Sequence, residues 1–183
     1  MVPAYIGAGF DHIIPGGLDH VLFVLGLFLF STRLRPLLWQ VTMFTIAHSI
    51  TLAMAMTDVV ELPARIVEPM IALSIAYVGI ENLWHRRLRR SRLALVFGFG
   101  LLHGLGFASV LADFGMPETG FATALISFNV GVELGQLSVI GLAWLTIGLP
   151  FGHRTSYRRL IVIPGSLAIA AVGLYWAWER LSL

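Results

Sequence analysis

Long apolar runs alternate with short polar breaks along almost the whole chain. The runs lie at about 17–31, 36–57, 66–84, 93–113, 121–149 and 159–179. A helix crossing the hydrocarbon core needs roughly 20 such residues, so each run predicts a spanning helix. The first run is short unless residues before Asp19 join it. The opening segment, MVPAYIGAGFDHIIPGG, carries two prolines and four glycines and predicts a short helix or re-entrant piece. The expected fold is therefore all-α. It is a polytopic membrane bundle of six transmembrane helices in one integral membrane domain, 1–183, with a short or re-entrant N-terminal helix as a seventh element.

Composition agrees with this reading. The chain is 57% hydrophobic and only 12% charged, with a mean hydropathy of +0.85. It has no cysteine, which excludes disulfides and thiolate metal sites. All twelve basic residues are arginine, and ten fall in alternate breaks. Arg33 and Arg35 follow the first run. Arg86, Arg87, Arg89, Arg90 and Arg92 separate the third from the fourth, and Arg154, Arg158 and Arg159 separate the fifth from the sixth. The other breaks hold Asp58, Glu61, Arg65, Asp113 and Glu118. The positive-inside rule makes the arginine-rich side cytoplasmic and both termini extracytoplasmic. Topology accounts for the basic charge, so no nucleic-acid partner is expected. An N-terminus outside, without a visible basic leader, predicts a signal peptide removed from this sequence.

Against this apolar background, ionisable residues mark a site. His48 and His103 each lie some ten residues before the outer end of a run, about 15 Å below the outer surface. Asn129 and Glu133 sit one turn apart on one helix face at a similar depth. Asp19 and His20 open the first run, Asp11 and His12 precede them, and Glu68 opens the third. Imidazoles and carboxylates converging on one layer suit a divalent transition metal: nickel, cobalt or zinc. The expected ligands are His20, His48, His103, Asp19 and Glu133. Orienting or pathway groups are His12, Asp11, Ser49, Glu68, Asn129 and Gln136, with Glu81 and Asn82 on an inner exit route. His85 and His153 fall in arginine-rich breaks and read as solvated.

A short echo suggests an internal parallel repeat over 36–84 and 93–149. Phe44-x-x-x-His48 recurs as Phe99-x-x-x-His103, and Val78-Gly79-Ile80-Glu81 as Val130-Gly131-Val132-Glu133. It would pair His48 with Glu81 and His103 with Glu133. Glycines around His103 and the Gly131/Gly135 pair predict close helix packing.

Several blocks resemble one family. They are G-x-D-H at Gly17 to His20, FTIAHSITL at 44–52, VEPMIALSI at 67–75, GIENL at 79–83, GLLHGLGFA at 100–108 and FNVGVELGQL at 128–137. Together they resemble the HupE/UreJ family of small bacterial membrane proteins. The resemblance implies an association with hydrogenase and urease gene clusters, nickel or nickel/cobalt permease-like function, and a signal peptide before the first span. Nickel-permease relatives carry a His-Pro ahead of the G-x-D-H end of their motif. Here Ile14-Pro15-Gly16 stands in its place, with His12 displaced.

Two functions from different classes follow. The first is a nickel/cobalt permease or metal-delivery protein of the bacterial inner membrane, lipid-embedded, whose short spans favour a homo-oligomer. The alternative is an intramembrane metal-dependent hydrolase, its zinc held by the same residues with one open position for water. In it Glu133 or Asp19 acts as base, with Ser49 positioning the ligand. A metal sensor is a third.

Overall fold

The structure is a computed structural model that describes residues 2–85, 91–114 and 120–182, with side chains of 108–114 excluded. Arg86, Arg87, Arg89, Arg90 and Glu118, and the side chain of Asp113, lie outside the described residues. Helices make up all the regular structure among those described.

Pro15, Gly16 and Gly17 interrupt what would otherwise be one apolar helix. Helix α1 (Val2–Ile13) ends before them and α2 (Leu18–Phe30) starts after them, bent by 71°. The Ile14–Pro15 peptide is cis. Asp19 lies in the first turn of α2, where the helix dipole favours an acid. Helix α3 (Leu34–Met56) holds Pro36 in its first turn, where a missing N–H costs nothing. Helix α4 spans Ala64–Trp84 and α5 spans Ser91–Phe114. Helix α6 (Phe121–Ala143) follows Gly120, whose φ of 92° suits a residue without Cβ. It continues through a π-helical stretch, Trp144–Gly148, to form one rod, Phe121–Phe151. The last rod, α7, covers Arg158–Ser182 and is π-helical over Arg158–Val162.

By length and composition, α3, α4, the α6 rod and α7 can each cross a membrane, and the bent α1–α2 pair qualifies as a fifth. In α5 the described apolar stretch is the shorter Ser91–Phe107. The chain is thus a bundle of apolar helices, four or five of them span-like among the described residues. Their outer faces carry Ile126, Leu142, Leu145, Leu160 and Trp178, all more than half exposed, as lipid-facing surface requires.

Three helix pairs pack over the longest stretches: α3 with α5, α4 with α7, and α1 with α6. Small residues sit at each crossing. Any side chain at Gly104 would strike the His48 carbonyl, at Gly131 the Ile6 carbonyl, and at Gly173 the Ala76 amide. The α1 contacts ascend with α6, Gly9 against Phe128 and Ile13 against Gly135, so the two helices run in the same direction.

Candidate metal centre

His12 and His20 are eight residues apart, which on a straight helix would separate them by about 12 Å. The α1–α2 break removes that separation. His12 closes α1, His20 opens α2, and their ring centroids lie 4.7 Å apart. Gly17 makes this possible: a Cβ there would collide with the His12 carbonyl and press to 3.2 Å from His20 Nδ1. His48, from the middle of α3, completes a trio, with centroids 6.0 Å from His12 and 5.8 Å from His20. One ligand nitrogen from each ring can be chosen so that all lie within 4.8 Å of one another. His103 of α5 stands beside the trio, 5.0 Å from His20. Apolar rings wall the group. Phe107 lies 3.6 Å from His12, and Phe44 and Phe23 lie 5.0 and 5.4 Å from His103.

The hydrogen bonds decide which nitrogens are free. His103 Nδ1 lies 2.8 Å from the Phe99 carbonyl, which can only accept, so Nδ1 carries the proton. His48 Nδ1 lies 3.2 Å from Asn129 Oδ1. The Asn129 amide is oriented by its own donation to the Leu125 carbonyl at 2.9 Å, so Oδ1 accepts here as well. In both neutral rings the lone pair is left on Nε2. The Nε2 atoms of His12, His20, His48 and His103 are all buried and have no hydrogen-bond partner. Buried polar atoms are rarely left so. Imidazoles oriented through Nδ1 with a bare Nε2 match the way proteins present histidine to a metal.

A cavity of about 1030 Å³ leads to the cluster. His12, His20 and His103 line it, with Asp11, Asp19, Glu68, Phe107, Trp176 and Arg180. His48 lies behind, fully buried.

The other expected site residues are placed as follows. Asp19 reaches the cavity, but both its oxygens accept from Arg180, at 3.0 and 3.2 Å. Arg180 also donates to the Glu68 carbonyl. Glu133 is outside the histidine group and accepts from Thr42 at 2.7 Å. Gln136 accepts from Thr45 at 3.1 Å, and its Nε2 has no partner. Ser49 donates to the Thr45 carbonyl in its own helix. Glu81 bonds to Arg92, and among the described residues no hydrogen bond joins Glu81 or Glu133 to a histidine. Asn82 is buried between Gly26, Ser166 and Arg92. His153 is exposed, whereas His85 is half-buried with an unpartnered Nδ1.

Sequence reasoning counted His12 as a pathway group, while the structure brings it into the trio. It missed Arg180 and Trp176 at the cavity wall. A charged residue in the last turn of an apolar helix, on the side with few arginines, was the available signal for Arg180.

Neither a curated protein nor a solved structure matches this chain. The family model described as HupE / UreJ protein matches residues 1–180. With that extent of match, the chain belongs to the HupE / UreJ family.

Proposed function

We propose that this protein is a permease for a divalent transition metal, nickel or cobalt, in the bacterial inner membrane. The metal enters through the wide cavity and is held by Nε2 of His12, His20 and His48. His103 is the next station, and Asp11, Asp19 and Glu68 draw the cation in. The observation that carries this reading is the set of four buried imidazole Nε2 atoms without partners, three of the rings lining one cavity and His48 packed behind them. Neutral imidazole suits nickel and cobalt, and a site with exchangeable ligands allows release. Six spans with both termini outside complete the proposal. In it the bent α1–α2 pair is the first span and α1 descends beside α6.

The test is equilibrium dialysis of purified protein against nickel, with tracer uptake into proteoliposomes. His12→Ala, His20→Ala and His48→Ala are each expected to lower affinity by at least the 10–100-fold, roughly, that loss of a supporting group alone can cost. Wild-type affinity in all three would end the reading. The alternative, a zinc hydrolase, is favoured by the trio's resemblance to a three-histidine catalytic site with room for water. It predicts metal-dependent hydrolysis with no tracer crossing.

A further inference from the structure

The cavity that leads to the histidines is lined by three carboxylates, Asp11, Asp19 and Glu68, and by one arginine among the described residues, Arg180. Asp11 and Glu68 are exposed, whereas Asp19 is partly buried and adjoins the buried His20 in the chain. By burial, Asp19 is the innermost acid of the approach. It is also the acid that is already occupied. Arg180, in the last turn of α7, donates from Nη2 to both Asp19 oxygens, at 3.0 and 3.2 Å, and from Nη1 to the Glu68 carbonyl at 3.1 Å.

The two side chains keep 21% and 24% of their surface in contact with solvent. An ion pair so open to water is a weak fastener between helices. Its effect on Asp19 is larger. A carboxylate that accepts from a guanidinium attracts a second cation fully only after the first has left. The guanidinium is tethered, so it does not dilute away and returns whenever Asp19 is empty. Its departure needs little movement. Nη1 can keep the Glu68 carbonyl while Nη2 swings off, and the Trp176 ring, one turn earlier on α7, lies 5.5 Å from the guanidinium carbon. A divalent ion is equipped to displace it, because at equal distance its attraction to the carboxylate is about twice that of a monovalent group.

We propose that Arg180 is the resident cation of the cavity mouth, and that a divalent metal loads by displacing it from Asp19. The inference rests on the metal reading above and adds the residue that sets how readily the site fills.

The test is the rate at which purified protein takes up tracer nickel at low concentration, read by rapid filtration. Arg180→Ala frees Asp19, so loading should run about fivefold faster than in wild type, the worth of one part-exposed ion pair that no longer has to open. Guanidinium chloride, far below denaturing concentration, should refill the vacated place and slow the alanine variant back toward wild type. Sodium chloride at the same concentration should slow it much less, because it lacks the hydrogen-bonding fork. A purely structural role predicts the opposite signs: a loosened mouth loads more slowly, and guanidinium restores its speed. Loading at or below the wild-type rate in Arg180→Ala, or equal slowing by the two salts, overturns the proposal. In an Asp19→Asn background there is no carboxylate to free, and the gain from Arg180→Ala should vanish; a gain of the same size there also overturns it. Arg180→Lys keeps the charge and loses the fork, so it should load at a rate between wild type and Arg180→Ala. That variant decides the matter if the alanine variant does not fold, since loading at or below wild type would again end the proposal. The metal reading fails separately, as protein that binds no nickel in dialysis with or without Arg180.

Discussion

At the scale of single residues, the site depends on where protons sit. Asn129 does not face the cavity, yet its carbonyl oxygen keeps the His48 proton on Nδ1 and so leaves Nε2 bare. Removing it as Asn129→Ala should lower nickel affinity by about 10–100-fold in dialysis while expression holds, because the ring loses both its tautomer preference and its orientation. Unchanged affinity would reduce Asn129 to packing. Ser49→Ala is the control. Its hydroxyl is committed to the Thr45 carbonyl, and nickel binding should not move. His48, His103 and Asn129 stood out in the sequence because polar residues in apolar runs are costly. Arg92 did not, because it directly follows the 86–90 arginines and was counted among them. Only the packing of Gln40, Glu81, Asn82 and Phe30 around it shows that this arginine is buried.

At the scale of elements, the break between α1 and α2 does more for the site than any regular helix. It converts two histidines eight residues apart into neighbours. The break tolerates no side chain at Gly17, where the His12 carbonyl and the His20 ring leave no room. Gly17→Ala should therefore weaken nickel binding severalfold. At Gly7, mid-α1, a Cβ meets nothing, and Gly7→Ala should bind normally and gain up to about 1 kcal/mol of helix stability. Dialysis and thermal melting of the two alanine variants separate the effects; equal affinity in both would show that the break accommodates the methyl group. The apolar runs located the regular elements well: 36–57 became Leu34–Met56, and 66–84 became Ala64–Trp84. The bend angle was not legible. Proline and glycine announce an interruption, but only the bed offered by α6 determines where the chain turns.

At the scale of the molecule, the last helix closes on the second. Arg180 of α7 holds Asp19 of α2 across the cavity mouth, so the entrance is assembled from opposite ends of the chain. The alternation of arginines predicts which way the bundle faces. The cysteine-free sequence makes the test clean. A cysteine in place of Arg89 should resist a membrane-impermeant maleimide in intact cells, whereas one in place of Asp58 should react. Labelling at 89 would invert the proposed topology. The all-helical, apolar character was open to sequence reading because length and apolarity suffice for it, and four or five helices are span-like among the described residues. The pairing of α1 with α6 and α4 with α7 was not, since lipid-facing runs look alike and contacts between small residues carry little compositional signal.

The packing of α1 along α6 also bears on how the protein is made. His12 is carried by a helix whose bed is α6, and His48 takes its proton placement from Asn129 of that same helix. A ribosome releases α1, α2 and α3 long before α6. During that interval the first three helices hold His12, His20 and His48 without the neighbour that orients them. On the proposed metal reading, capture is then a late step of biogenesis, reached when α6 inserts, and a nascent chain passes through the insertion machinery before its histidines are fully oriented.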